Sequence, residues 1–190
     1  MAVVGVGQTL NGDDAAGVLV AQGLLKRQRA ITMGTLVPKR LFSRDPQKRP
    51  VSLIIADRQK YFWNQRPLLF VIEAAHAPEN CTGAVRRFAP DLVILVDAAE
   101  MGDPPGTVRW LDWRDTSGLG ASTHSLPPSM VARYLAAELS CQVALIGIQV
   151  QDTSLGARVS PPVRRAIRTV SEGLKIFLLD AGDKNRPEGA

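Results

Sequence analysis

Four continuous apolar runs, each of buried-strand length and each separated from the next by helical or loop sequence, constrain this chain most. They are residues 2–7, "PLLFVIEAA" at 67–75, "LVILVDAA" at 92–99 and "CQVALIGIQV" at 141–150. Runs of small and β-branched residues without polar alternation belong to strands covered on both faces, as in parallel sheets. The intervening stretches have helical character. An amphipathic helix is expected over about Asp14 to Leu25, and "PENCTGAVRRF" carries helix-start chemistry, with Pro78 and Glu79 in its first turn. "LPPSMVARYLAAEL" repeats apolar residues at Met130, Val131, Tyr134, Leu135 and Leu139. "PPVRRAIRTVSEGLKIFLL" does so at Val163, Ile167, Val170, Leu174, Phe177 and Leu178. Strand alternating with helix predicts an α/β fold, a three-layer αβα sandwich with right-handed crossovers and a mostly parallel central sheet. "GTVRWLDW" at 106–113, entered through a Pro-Pro-Gly turn, reads as an edge strand.

A chain of 190 residues, 45% hydrophobic, fits one domain with modest decoration. The expected domain spans 1–180 and residues 181–190 form a flexible tail. No run of 18 or more apolar residues occurs, so neither a membrane span nor a signal peptide is expected, and the protein is placed in the cytoplasm. Cys81 and Cys141 lack the CxxC spacing of metal or redox sites and read as packing residues.

Segment 26–66 breaks the rhythm, because helix-to-strand connections are normally a few residues long. It holds eleven of the 23 basic residues and only two of the 18 acids, a net +9 that leaves the rest of the chain at −4. The high isoelectric point therefore belongs to an insertion. Its expected form is a solvated loop with a short extra strand or turn at "VSLIIAD". A docking element for an acidic protein comes next, and a nucleic-acid contact through Tyr61, Phe62 and Trp63 ranks lowest.

Three polar motifs sit where apolar runs end or a helix begins: "GVGQTLNGDDAAG" at 5–17, "LVILVDAAEMGDPPG" at 92–106 and "STHSLPP" at 122–128. In open α/β sheets, ligands bind in the crevice beyond the carboxyl ends of the strands. Asp14, Asp97 and His124 would meet there as an oxygen, oxygen and nitrogen set suited to a divalent transition metal such as nickel or zinc. Asp97 follows five apolar residues, and a buried carboxylate at that place needs a cation or hydrogen-bond donors. Asp13 reads as a cap or loop anchor. Glu73 and His76, near the end of the second long run, are possible neighbours of the site. "GVGQTL" is not a dinucleotide fingerprint, since Leu10 stands where the third glycine is required. Gly5 and Gly7 are instead expected to permit a tight turn or the close approach of a ligand or helix.

Taken in order, these motifs resemble the hydrogenase maturation endopeptidases of the hydrogenase-3-type branch. "GDDAAG" is similar to that family's Gly-Asp-Asp-Gly-x-Gly element, "VIEAAHAPEN" to its strand-end acid with an Ala-Pro-Glu-Asn run, "LVDAAEMGDPPG" to its Val-Asp-Ala-x-x-Met-Gly-x-x-Pro-Gly element, "STHSLP" to its Thr-His element and "LIGIQV" to its Leu-Gly-Ile-Gln element. The likeness spans roughly 2–25 and 67–180. Gln8, Ala74, Ala75, His76 and Val150 depart from the pattern, and segment 26–66 has no counterpart in it.

The resemblance implies a phosphorylase/hydrolase-like fold and an endopeptidase of aspartyl-protease type. It would cut a C-terminal peptide from the nickel-loaded large-subunit precursor of a nickel–iron hydrogenase. Asp14, Asp97 and His124 would be both catalytic residues and metal ligands, the nickel arriving with the substrate, while zinc or cadmium could also occupy the site. The implied partner is the precursor protein, met by a monomer without membrane attachment. Two other readings stay open: a non-catalytic nickel-binding checkpoint or chaperone, and a metal-dependent hydrolase of small molecules on the same fold.

Overall fold

The run Ala2–Val6 forms β1, buried along its whole length at the middle of the sheet. This arrangement comes from a computed structural model, which describes residues 1–31, 54–55, 69–114 and 127–184. A 3-10 turn over Gly12–Ala15 leads from β1 into α1 (Ala16–Ile31), followed by β2 (Ile54–Ile55) and β3 (Phe70–Ala75). Next come a second 3-10 turn at Pro78–Cys81, α2 (Thr82–Phe88), β4 (Leu92–Ala99) and β5 (Val108–Leu111). The chain then runs through α3 (Pro128–Leu139), β6 (Gln142–Gln149) and α4 (Pro161–Lys184). The sheet order is β2-β3-β1-β4-β6-β5. β3, β1, β4 and β6 are parallel, and the short edge strands β2 and β5 run antiparallel to their neighbours.

Both faces are covered, which is why the four long strands are apolar on alternate as well as successive residues. On one face Val3, Val71, Ile94, Val96, Ile146 and Ile148 pack with α1 and α4 through Val20, Leu24, Val163, Ile167 and Val170. On the other, Val4, Phe70, Ile72, Val93, Leu95 and Leu145 pack with α2 and α3 through Val85, Val131 and Leu135. The expected three-layer sandwich is therefore the observed one.

Several local expectations need correction. The first helix does not begin at Asp14, because Gly12–Ala15 takes the tighter 3-10 form, and α1 continues to Ile31, six residues past Leu25. α4 runs to Lys184, into the stretch assigned to the tail. Met130 and Tyr134 on α3 and Phe177 on α4 fit the helical period but are exposed, since the buried stripe of each helix is narrower than its apolar pattern. "VSLIIAD" does supply a short strand, Ile54–Ile55, while the rest of the insertion, including Tyr61, Phe62 and Trp63, lies outside the described residues. Cys81 is buried and Cys141 half-buried, both with free thiols. Burial pushes the Cys81 thiol up to about 11, as befits a packing residue.

Candidate functional site

The site begins with two glycines that let α1 lie directly on the sheet. A Cβ on Gly17 would fall 2.0 Å from the Val96 carbonyl oxygen and 2.4 Å from that of Val6. One on Gly5 would fall 2.2 Å from the Gly17 oxygen. Only hydrogens fit in such gaps, so the start of α1 seats in the groove between β1 and β4. Gly7, at φ 131°, has the Asp14 carbonyl oxygen where a Cβ would project. Its own N–H donates to the Ala75 carbonyl at 2.9 Å. The expected role of Gly5 and Gly7 is met as close approach to a helix, and the consequence is that Asp13 and Asp14 sit just beyond the carboxyl ends of β1 and β4.

The two adjacent acids have separate tasks. Asp13 is fully buried and reaches across to the loop between β6 and α4. Its Oδ2 accepts the N–H groups of Gln151 and Asp152 at 2.8 and 3.1 Å and the Ser160 hydroxyl at 2.9 Å. Its Oδ1 accepts the Ser160 N–H at 2.6 Å. It is thus a loop anchor rather than a helix cap, with its oxygens saturated by donors. Asp14, 5% exposed, accepts only the Gln8 N–H among the described hydrogen bonds, at 2.9 Å to Oδ2. Burial raises its carboxyl above the usual range, against the lowering effect of that bond.

Asp97 stands near the end of β4. Val93 and Leu95 belong to the α2/α3 face, and strand alternation places Asp97 on that face too. Its Oδ1 accepts the N–H of Ala98 at 2.9 Å. Burial, then the nearby charge of Asp14, push its carboxyl up to about 7. Two carboxylates thus share one partly closed place, and the ion pairs among the described residues involve neither. An uncompensated acid pair of this kind can take up a proton or accept a hard or borderline divalent cation.

The third expected ligand, His124, lies outside the described residues. α3, which directly follows that segment, packs on the sheet face that carries Asp97. Among the described residues no group of three His, Cys, Asp or Glu side chains comes together. Glu73 and His76 make no described hydrogen bond to either acid. Glu73 shares the opposite face with Val71, where its Oε2 accepts the Gln22 amide of α1 at 3.0 Å. His76 is exposed in the turn after β3.

One organising residue carried too weak a signal for its role to be read from sequence. Gln149, buried at the end of β6, accepts the N–H groups of Met101 and Asp103 through Oε1 at 2.6 and 3.2 Å. Its Nε2 donates to Glu100 Oε1 at 2.8 Å and to the Val150 carbonyl at 3.0 Å. It fixes the loop that follows Asp97. A polar residue inside an apolar strand was the available clue, because such an amide must find partners within the protein.

A family model described as hydrogenase maturation protease matches residues 56–175, more than half of the chain. The hydrogenase 3 maturation protease of Escherichia coli K12 is 30% identical over 106 residues, covering 55% of this chain and 67% of that protein. The crystal structure of a NiFe hydrogenase maturation protease from Thermococcus kodakarensis superposes with a TM-score of 0.66 at 26% identity, over 93% of this chain and 90% of that one. A hydrogenase maturating endopeptidase of Escherichia coli has the same fold, with a TM-score of 0.61 at 18% identity over 95% and 93% of the two chains. With its doubly covered parallel sheet and the acid pair at the strand ends, this chain belongs to the hydrogenase maturation protease family.

Proposed function

We propose that this protease removes a short C-terminal peptide from the large-subunit precursor of a nickel–iron hydrogenase once nickel is in place, with Asp14, Asp97 and His124 meeting the precursor's metal. The observation that carries the reading is the pair Asp97 and Asp14: a buried carboxyl raised to about 7 by burial and by its neighbour, with no ion pair to either acid among the described residues. Nickel here is part of the substrate. Two carboxylate oxygens and a neutral imidazole leave coordination positions for groups the precursor itself supplies, which would couple recognition of a loaded precursor to its cleavage. The packing of α3 on the Asp97 face supports His124 as the third member, because the segment carrying it leads straight into that helix. We place the activity in the cytoplasm and in a monomer. No helix among the described residues is long and apolar enough to cross a membrane.

A second reading is favoured by the elevated Asp97 carboxyl itself. Beside a carboxyl near 7 that holds a proton, an ionised partner can take one from the attacking water and pass it on to the leaving amine, as in two-carboxylate proteases. Mass spectrometry of nickel-loaded and metal-free precursor after incubation with the protein decides between them. The metal-meeting role expects the loaded precursor to lose its C-terminal peptide and the metal-free precursor to stay whole. It also expects Asp14→Ala, Asp97→Ala and His124→Ala each to abolish cutting. Efficient cleavage of metal-free precursor in chelator would overturn it in favour of direct acid–base chemistry.

A further inference from the structure

Two leucines stand open on the loops that hold Asp13 and Asp14. Leu10 is 63% exposed and Leu155 is 81% exposed. They come from different loops, one leading from β1 to Asp14 and the other joining β6 to α4. The Leu10 carbonyl accepts the N–H of Gly156 at 2.7 Å, which sets the two leucine-bearing segments side by side.

These loops are held rather than free. Asp13 accepts three N–H groups and a hydroxyl from residues 151–160, and its own N–H donates to the Asp152 carbonyl at 2.9 Å. Gly12, at φ 53°, lies so close to that carbonyl that a Cβ would stand 2.4 Å from the oxygen. The second loop is closed on itself by the Ser154 N–H to Asp152 Oδ1 at 2.9 Å and the Ala157 N–H to the Ser154 carbonyl at 3.1 Å. A scattered exposed leucine is ordinary on a protein surface, but two on adjoining loops whose backbones are fixed to each other offer a contact surface whose backbone ordering cost is met before anything binds.

Its position relates it to the chemistry. Leu10 lies between Gln8, whose N–H binds Asp14, and Asp14 itself. We propose that Leu10 and Leu155 form an apolar rim that seats the precursor polypeptide next to the bond to be cut, through at least one large apolar side chain of the substrate. This rests on the function proposed above. A polypeptide is the fitting occupant because the loop bearing Leu10 also supplies the Gln8 N–H that binds Asp14, in a chain of a protease family. A second copy of the chain is not, since two leucines fall far short of the about 800 Å² per partner of a stable interface.

The test uses the full chain and nickel-loaded precursor, reading affinity by calorimetry and cutting by mass spectrometry. The Leu10→Ser/Leu155→Ser double variant is expected to weaken precursor affinity about tenfold, with KM rising in step and kcat within about twofold of wild type. Leu10→Met/Leu155→Met should restore most of the affinity, and Ile176→Ser, on the exposed face of α4 (60% exposed), should leave it unchanged. The thermal midpoint of the Ser variant should match wild type, because neither leucine is packed. If wild type cuts and the double Ser variant binds equally well, the rim is wrong while the proposed function stands. If wild type neither binds nor cuts, the proposed function fails and takes the rim with it.

Discussion

At Asp97 stability and the proposed role oppose each other most directly. Its carboxyl is raised to about 7 in the folded protein, against about 4 in the unfolded chain, so the folded state holds its proton more tightly. The corresponding stability is fully present below about pH 4 and is lost as pH rises through about 7. In metal-free protein, denaturant unfolding at pH 5 and pH 8 should therefore show Asp97→Asn gaining stability relative to wild type as pH rises between the two, by about 2–3 kcal/mol. Added nickel should raise the wild-type thermal midpoint at pH 8 and leave Asp97→Asn nearly unmoved. Equal pH dependence of the two proteins would show that Asp97 is not strained by its burial. Asp13, next to Asp14 and fully buried, differs in being saturated with donors.

Among the elements, the seating of α1 on β1 and β4 decides where Asp14 goes. Gly17 touches the carbonyl oxygens of both strands through a space no side chain can enter. Gly17→Ala should lift the amino end of α1, costing about 3 kcal/mol by overpacking, and should weaken nickel binding as Asp14 moves away from Asp97. Gly173→Ala, on α4, whose Cβ would meet nothing within 4 Å, is the control and should be neutral or slightly stabilising. Chemical denaturation and metal titration of the two variants read both effects. A Gly17→Ala protein as stable as wild type would mean that the helix can shift without consequence. Gln149 does for the loop after Asp97 what the glycines do for the loop before Asp14, by hydrogen bonding instead of by close approach.

Over the whole molecule, the charge is divided by segment: net +9 at residues 26–66 against −4 elsewhere. If that segment meets an acidic face of the precursor, association should slow steeply as salt rises, since charges lose their reach beyond about 8 Å at physiological ionic strength. Replacing 32–53 by a short Gly/Ser bridge should then slow binding and flatten the salt dependence, while nickel binding by Asp14 and Asp97 is kept. Stopped-flow association rates at several salt concentrations decide it, and identical salt slopes would assign the segment no part in docking. The bridge spares Ile54–Ile55, which extends the sheet beside β3.

The layered fold was legible in the chain itself, because strands buried on both faces must be apolar throughout and their helices must repeat every 3.6 residues. That Asp14 and Asp97 meet was legible as well, Asp97 because an acid after a buried run is costly enough to need a reason and Asp14 because it sits at a helix start beyond a strand end. Asp13 was expected as a cap or loop anchor and Asp14 as the site acid, but sequence could not say which of the two anchoring forms Asp13 takes or which donors hold it. Only the path of the loop between β6 and α4 saturates one and leaves the other to Asp97. Nor could it place Glu73, whose strand end matched the others but whose side chain falls on the α1 face. Spacing along a chain records which groups reach the same edge of the sheet. Which face each one occupies, and which donors reach it first, is decided by how the layers pack.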